Sequence, residues 1–157
     1  AFPHFKQFHI IYYVATRAGN WWLMKYPFFN GESYDLGVPN LPGFDAASLA
    51  FQRRALQVLC AHREAFSSLQ VEPLVPTETP GVFANRFSAP KETVWTLYNA
   101  NGRSVRGALL RVQHVAAAKY EDAWNGKPLT PQVKGGFAYL ALDIGPKGIG
   151  CVAQSTP

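Results

Sequence analysis

The fold class follows mainly from residues 134–144, which read KGGFAYLALDI. Apolar side chains occupy every second position near the end of this segment, at Ala138, Leu140, Leu142 and Ile144. Successive side chains of a β-strand point to opposite faces, so this alternation places the apolar groups on one face. The two glycines before them suit a tight turn. The segment therefore predicts a β-strand over 137–143 that is entered from a turn and packs one face on a core.

Similar short segments fill the rest of the second half of the chain. Strands are predicted over 82–87, 93–99, 105–112, 118–124, 129–133, 137–143 and 149–154. Asn101-Gly102 and Asn125-Gly126 are hairpin signals, because both central residues of a type I′ turn need positive φ. Short strands at this spacing are typical of a sandwich or small barrel. We therefore expect a mainly β chain with an antiparallel β-sandwich of about six to eight strands.

Residues 145–150 read GPKGIG and are rich in glycine. Glycine-rich loops that cradle phosphate join a strand to a helix, whereas a strand is predicted on both sides here. We therefore expect this segment to belong to a hairpin and not to bind phosphate.

One long α-helix is predicted before the strands, over 46–67. Asp45 has the carboxylate of a good N-cap, and Phe44 and Leu49 have the spacing of a hydrophobic staple. One face is predicted to carry Leu49, Leu56, Leu59 and Phe66, and the apolar stripe is widened by Phe51, Ala55 and Val58. The opposite, solvent-exposed face is expected to carry Arg53, Arg54 and Arg63.

The first part of the chain has a different character. Residues 8–14 form an apolar, β-branched and aromatic run that predicts a strand buried on both faces. Residues 16–43 are broken by glycine and proline and rich in aromatic side chains, so a long irregular region is expected. Residues 72–81 contain three prolines and cannot continue a helix. We therefore expect two parts: 1–72 with strand, aromatic loop and helix, and 73–157 with the β-sandwich.

The charge of the 157-residue chain is +5, from 15 Lys and Arg against 10 Asp and Glu. Nucleic-acid-binding proteins concentrate positive charge in a patch or arm. Here it is scattered, so we expect no nucleic-acid partner. No apolar stretch approaches the length of a membrane span, so no membrane partner is expected. Residues 1–7 lack the basic and apolar regions of a secretory signal peptide.

Metal and cofactor sites are not indicated. The histidines are too widely separated for a local metal-binding pattern; they are His4, His9, His62 and His114. No Cys-x-x-Cys or His-Glu-x-x-His occurs, and no Gly-x-Ser-x-Gly marks a nucleophilic serine. We expect no metal and no cofactor. Cys60 and Cys151 fall in different predicted elements, and two buried free thiols are expected.

Four segments carry a resemblance to a known family: residues 93–99, 105–107, 120–129 and 144–150. The third reads YEDAWNGKPL and fits the pattern Y-x-D-x-W-x-G-x-x-L. In order and spacing, the four segments resemble the C-terminal β-domain of large bacterial (β/α)-barrel glycoside hydrolases. The resemblance implies that residues 8–14 are a late barrel strand, that 16–43 are a βα loop at the active-site face, and that 46–67 are the closing helix.

Glu32 and Asp35 are the acidic candidates for catalysis in the aromatic region. Glycoside hydrolysis uses two carboxyl groups at a fixed separation, one as acid and the other as base or nucleophile. The sequence does not assign these roles. Loop acids also cap turns and accept hydrogen bonds from the backbone, and that alternative stays open.

Trp21, Trp22 and Tyr26 are the candidates for carbohydrate binding. Their flat rings can stack on the C–H faces of sugars, while Asn20 and Asn30 hydrogen-bond the hydroxyls. The alternative is that these rings cover a core. Phe137 and Tyr139 point away from the predicted core face and form either a second platform or a pair under the helix. Trp95 and Trp124 are expected in the core.

The resemblance and the residues together favour a carbohydrate-active protein, the C-terminal section of a glycoside hydrolase whose β-sandwich supports the barrel or contacts glycan. The expected partner is a polysaccharide or oligosaccharide, together with the rest of a barrel domain or another subunit. Such a substrate favours an extracellular or periplasmic location. Two alternatives stay open: a free-standing carbohydrate-binding module, and a structural or assembly protein that pairs through sheet edges.

Overall fold

Antiparallel β-sheets dominate the computed structural model, which describes residues 8–10, 24–35 and 46–157. In chain order the strands are β1 (Phe8–Ile10), β2 (Ser33–Asp35), β3 (Gln70–Val75), β4 (Val82–Ala89), β5 (Glu92–Asn99), β6 (Val105–Gln113), β7 (Lys119–Asp122), β8 (Lys127–Leu129), β9 (Gln132–Lys134), β10 (Phe137–Ile144) and β11 (Ile149–Ser155). A six-stranded sheet has the order β3-β4-β5-β11-β7-β8, and a three-stranded sheet has the order β6-β10-β9. The predicted mainly β, antiparallel sandwich is confirmed.

One hydrophobic core lies between the two sheets. The six-stranded sheet contributes Trp95, Leu97 and Val152, and the three-stranded sheet contributes the predicted apolar face of β10, namely Ala138, Leu140, Leu142 and Ile144. All of these side chains are buried. The period-two pattern of residues 137–144 therefore identified this face correctly, because the strand has only one face against the core.

A second core lies on the other face of the six-stranded sheet, where the helices pack. The helices are α1 (Lys25–Phe29), α2 (Ala46–Ala61) and α3 (Arg63–Ser67). Phe28 and Phe66 from the helices meet Phe87 and Val94 from β4 and β5 in one buried cluster. The six-stranded sheet is therefore the middle of three layers. Phe137 and Tyr139 belong to the outer face of the other sheet, so they do not lie under the helix.

The predicted helix over 46–67 is interrupted at His62, whose φ of −110° and ψ of 32° are not helical. At this point the His62 Nδ1 atom lies 2.7 Å from the Glu92 Oε1 atom of β5. The helical run therefore divides into α2 and α3 where a buried side chain contacts the sheet. Asp45 and Phe44 lie outside the described residues.

The predicted apolar stripe of the helical region packs on the second core except at Leu49. Ala55, Val58 and Phe66 are buried in that core, and Phe51, Leu56 and Leu59 pack against it. Leu49 is 47% exposed, and the polar residues Ser48 and Gln52 are buried instead. The three arginines of the predicted solvent face, Arg53, Arg54 and Arg63, are exposed as expected.

The Asn101-Gly102 hairpin prediction is wrong. Both edges of β5 are occupied by β4 and β11, so β6 cannot pair with β5 and belongs to the other sheet. Neither Asn101 nor Gly102 has positive φ. Residues 100–104 instead carry the chain from one sheet to the other. Residues 145–148 return it in the same way, between β10 and β11, so the hairpin expected there is also wrong.

The other turn signals were better guides. β7 and β8 form the predicted hairpin, but only Gly126 has positive φ, so its turn is not type I′. Gly135 and Gly136 both have positive φ, at 58° and 80°, and join β9 to β10 by a two-residue turn. The strand predicted over 129–133 divides around Pro131 into β8 and β9, which lie in different sheets. A proline cannot donate to a ladder, which suits a change of sheet.

Three further features were not expected. The region 16–43, predicted to be irregular, contains helix α1 and strand β2 among its described residues. β3 extends from Gln70 to Val75, across the start of the proline-rich stretch. Both cysteines are free thiols, but Cys60 is exposed and only Cys151 is buried. The expectation of a buried Cys60 is therefore wrong, because Cys60 lies away from the face of α2 that meets the sheet.

Candidate functional site

The region before the sandwich contains a pair of parallel strands. β1 and β2 pair in register, with Phe8 opposite Ser33 and Ile10 opposite Asp35. Parallel strands need a crossover connection, and here the connection includes helix α1. A parallel pair joined through a helix is the repeating unit of α/β folds, including (β/α) barrels. The chain therefore combines a parallel unit with an antiparallel sandwich.

The two acidic candidates lie at opposite ends of β2. Glu32 precedes the strand, whereas Asp35 is its last residue, opposite the last residue of β1. With a rise of roughly 3.3 Å per residue, their Cα atoms are about 10 Å apart. In barrel enzymes the active site lies at the C-terminal ends of the parallel strands. Asp35 is at that edge of the pair and Glu32 is not.

Helix α1 is attached to the six-stranded sheet by a polar contact in an apolar setting. The carbonyl oxygen of Phe29 accepts hydrogen bonds from Asn85 Nδ2 at 2.9 Å and from Thr96 Oγ1 at 2.6 Å. Both donors are buried. Met24 and Phe28 anchor the same helix in the second core. The position of α1 on the sheet is therefore fixed by both hydrogen bonds and packing.

We expect Thr96→Val to lower the free energy of unfolding by about 1 kcal/mol, because it removes one hydrogen bond with little change in shape. Adding Asn85→Ala leaves the Phe29 carbonyl without either donor, so the double variant should lose more than the sum of the two single losses. Urea denaturation of the four proteins measures this coupling. Additive losses would show that the two donors act independently.

Tyr26 is one of two predicted carbohydrate-binding residues, with Asn30, that lie within the described part of the chain. Its side chain is 40% exposed, and its ring meets that of Tyr98 edge to face with a centroid distance of 5.7 Å. Burial raises the pKa of Tyr98, and the hydrogen bond with Tyr26 and the charge of Tyr26 raise this pKa further. The Tyr98 phenol is therefore protonated at neutral pH and can donate a hydrogen bond.

Two lysines complete an open cleft of about 420 Å³ beside the tyrosines. Lys25 is largely buried, and its Nζ atom donates to the carbonyl oxygen of Lys147. Lys147 has a positive φ of 50°, and its own Nζ atom donates to the carbonyl of Ala100. Burial lowers the pKa of Lys25. These contacts hold both ammonium groups at the cleft wall.

Two more aromatic rings extend this surface. Phe29 lies 6.2 Å from Tyr98 between ring centroids. Phe83 pairs with Tyr98 across β4 and β5 and is 45% exposed. Directly opposed residues of an antiparallel pair share a face, so Phe83 lies on the Tyr98 side of the sheet. We call Tyr26, Phe29, Phe83 and Tyr98 the aromatic patch.

The remaining predicted site residues are placed as follows. Trp21, Trp22 and Asn20 lie outside the described residues, although Trp22 is only two positions before Met24 in the sequence. Asn30 is exposed at the end of α1, with its Nδ2 atom 3.5 Å from Glu32 Oε1. Trp95 is buried as expected, whereas Trp124 is half-buried and packs on Phe28.

Sequence reasoning missed Phe83, Tyr98 and Lys147. They are separated from Tyr26 along the chain, and no local motif connects them. In the described ranges, His, Cys, Asp and Glu form no group of three or more able to hold a metal ion. Over the same ranges, every helix is too short or too polar to cross a membrane.

The sequence matches no protein-family model and no curated protein significantly. The fold does match solved structures. A noncanonic maltogenic α-amylase from Thermotoga neapolitana has a TM-score of 0.61 at 11% identity, over 98% of this chain and 42% of that chain. An α-amylase from Anoxybacillus has a TM-score of 0.58 at 10% identity, over 87% of this chain and 32% of that chain.

A third match is the α-galactosidase I of Mortierella vinacea, with a TM-score of 0.56 at 11% identity, over 88% of this chain and 38% of that chain. Identities this low show a shared fold alone. The chain spans about a third to two fifths of the length of these three proteins. Its fold is therefore one that larger glycoside hydrolases contain as a part.

Proposed function

We propose that this chain is the C-terminal section of a glycoside hydrolase, in which β1 and β2 belong to a (β/α) barrel and the sandwich supports that barrel. The observation that carries the proposal is the parallel pair β1 and β2, joined through α1 and continuous in one chain with the sandwich. Two parallel strands cannot close a barrel, which has eight. The greater length of the solved structures with this fold supports the same proposal.

In this proposal Asp35 is the carboxyl group closest to the reaction. It ends β2, at the edge where barrel active sites form, and its partner carboxyl comes from another strand of the barrel. Glu32 lies at the opposite edge and is assigned no catalytic role. No cofactor or metal is needed, because acid and base carboxyl groups suffice for glycoside hydrolysis.

Glycan contact is assigned to Tyr26 together with Trp21, Trp22, Asn20 and Asn30. The support is the exposed ring of Tyr26, held edge-on to Tyr98 within the aromatic patch. Ordered aromatic rings bury a large apolar area on binding at a low entropic cost. Lys25 and Lys147 at the same cleft provide donors for hydroxyl groups.

We expect Tyr26→Ala to raise the dissociation constant for oligosaccharides about tenfold or more, the loss that follows when an aromatic ring no longer covers the apolar face of a sugar. Tyr26→Phe keeps the ring and removes only the contact of the hydroxyl with Tyr98, so it should bind nearly as well as the parent. Calorimetric titration with α-1,4- and β-1,4-linked oligosaccharides measures both. Tyr139→Ala, on the outer face of the other sheet, is the matched control.

Reading the coding sequence upstream of the Ala1 codon tests whether the chain belongs to a barrel enzyme. A few hundred residues of alternating strand and helix patterns there would support the enzyme. A start codon or a signal peptide immediately upstream would exclude it and favour a free-standing carbohydrate-binding module, for which the Tyr26 experiment still applies.

An assembly protein is the second candidate, and the edge strand β3 is the observation that favours it. Leu69, Val71 and Leu74 are exposed along or beside this edge. However, β3 contains Pro73, a positive φ at Leu74 and a shift in its pairing between Glu72 and Val75. Such irregularities prevent an edge from pairing with another chain. An elution volume that changes with concentration in size-exclusion chromatography would favour assembly.

A further inference from the structure

We propose that a cleft at one end of the sandwich binds a neutral saccharide, at a site separate from the aromatic patch. The cleft measures about 320 Å³, at the lower end of the range for small-molecule sites. It is lined by residues of both sheets, from Arg86 and Trp95 on one side to Arg111 and Phe137 on the other. The six-stranded sheet separates it from Tyr26, so it adds to the proposed function.

The floor of the cleft is a row of side chains across three strands. Glu72 of β3 pairs with Arg86 of β4, which pairs with Trp95 of β5. Opposed residues of antiparallel strands share a face, so this row faces the three-stranded sheet. Because that sheet has only three strands, it leaves part of the larger sheet uncovered at this edge. The cleft is therefore a consequence of the unequal sizes of the two sheets.

Trp95 provides a hydrogen-bond donor beside this cleft. The residue is 5% exposed. Among the described residues its indole N–H has no hydrogen-bond partner, yet it is not one of the enclosed unpaired atoms, so it keeps some contact with solvent. Because Trp95 lines the cleft, this N–H is available to an acceptor there.

Both arginines of the cleft are paired with carboxylates. Arg86 forms an ion pair at 2.8 Å with Glu72, which also lines the cleft, and Arg111 forms one at 3.2 Å with Glu78, which does not line it. An anionic ligand would have to compete with these carboxylates for the two guanidinium groups. A neutral molecule with hydroxyl groups can instead accept hydrogen bonds from the arginines and donate to Glu72 while both pairs remain. The pairing therefore favours a polyol over a phosphate, a nucleic acid or an acidic peptide.

The apolar part of the lining suits the C–H face of a sugar ring. Arg111 lies over the ring of Phe137, with its Cζ atom 5.0 Å from the centroid, and this contact orders both side chains. Phe137 is 37% exposed and provides a flat apolar surface, Trp95 contributes the small part of its side chain that is exposed, and Gln113 and Gln154 provide amides. Aromatic and aliphatic walls with a few polar groups are typical of small-ligand sites. The volume admits a monosaccharide or a disaccharide.

The test uses two arginines that form the same kind of surface ion pair. Arg111 lines the cleft, whereas Arg106 pairs with Asp143 on the same sheet outside it. We expect maltose, cellobiose, xylobiose or melibiose to shift the Trp95 indole N–H resonance of the ¹⁵N-labelled chain. Arg111→Ala should raise the dissociation constant about tenfold, as expected for loss of a charged hydrogen-bonding group. Arg106→Ala should change it less than twofold.

Trp95→Phe identifies the resonance and removes the donor while keeping an aromatic ring. The proposal is overturned if none of the four disaccharides shifts that resonance, or if the two arginine variants bind alike. If Tyr26→Ala abolishes binding and Arg111→Ala does not, this cleft is excluded while the proposed function stands. If Arg111→Ala weakens binding and Tyr26→Ala does not, this cleft stands and the aromatic patch loses its support.

Discussion

Replacing Gly31 with alanine should lower the free energy of unfolding by about 2–5 kcal/mol, combining backbone strain with overpacking. Gly31 follows α1 and has a φ of 67°, a conformation that side chains disfavour. An added Cβ atom would lie 2.6 Å from Cε1 of Phe87 and 3.1 Å from Cδ1 of Phe66. These rings cannot simply move aside, because both are buried and packed together at 5.0 Å between centroids.

The control for this prediction is Gly126→Ala. Gly126 has nearly the same φ, 63°, but an added Cβ there meets no atom within 4 Å. Gly126→Ala should therefore lower the free energy of unfolding only by the backbone strain, about 1–2 kcal/mol. Urea denaturation followed by tryptophan fluorescence measures both variants. Equal losses would show that the Phe66 and Phe87 rings adapt at little cost, which the packing of the second core does not predict.

Replacing Asn99 with aspartate should lower the free energy of unfolding by about 3–5 kcal/mol. This is the loss expected when a buried polar network is left with an uncompensated charge. Asn99 is completely buried. Its Nδ2 atom donates to the carbonyl oxygens of Arg103, Ile144 and Gly145 at 2.8, 3.1 and 2.8 Å. A carboxylate oxygen at this position would face three carbonyl oxygens and could donate to none. The side chain thus holds together two of the connections between the sheets, residues 100–104 and residues 145–148.

The control is Asn101→Ala, since Asn101 is only partly buried and its amide bonds to Pro80 and Asn99. Asn101→Ala should lower the free energy of unfolding by about 1 kcal/mol. Burial raises the pKa of a carboxyl group, so the group introduced by Asn99→Asp binds its proton more tightly in the folded state. The loss should therefore shrink as the pH falls from 7 to about 4. A loss that is constant over this range would contradict the buried-charge explanation.

The sequence predicted the strands well where one face is buried and the other is not. The alternation in 137–143 identified both the strand and its core face. The hairpin prediction at Asn101-Gly102 failed. The dipeptide is compatible with a hairpin, but strand pairing depends on which strand edges are free, and β5 already has two neighbours. The same limit applies to 129–133, where Pro131 moves the chain from one sheet to the other.

The candidate sites show the same division. The aromatic composition of 16–43 indicated Tyr26, and the exposed ring in the aromatic patch is compatible with that prediction. Tyr98, Phe83 and Lys147 were not found, because they come from three other segments that meet only when α1 packs on the sheet. In the second cleft, Arg86 and Trp95 belong to one sheet and Arg111 to the other. They come together only when the two sheets pack face to face.

By itself, then, the sequence determined the local properties: strand periodicity, the helical region and the glycine turn before β10. These depend on side chains a few residues apart, where steric and solvation preferences act directly. Only the tertiary structure decided which strands share a sheet, that β1 and β2 run parallel, that Glu32 and Asp35 lie at opposite ends of a strand, and where the clefts form. Those features depend on contacts between distant residues, which compete for the same edges and faces.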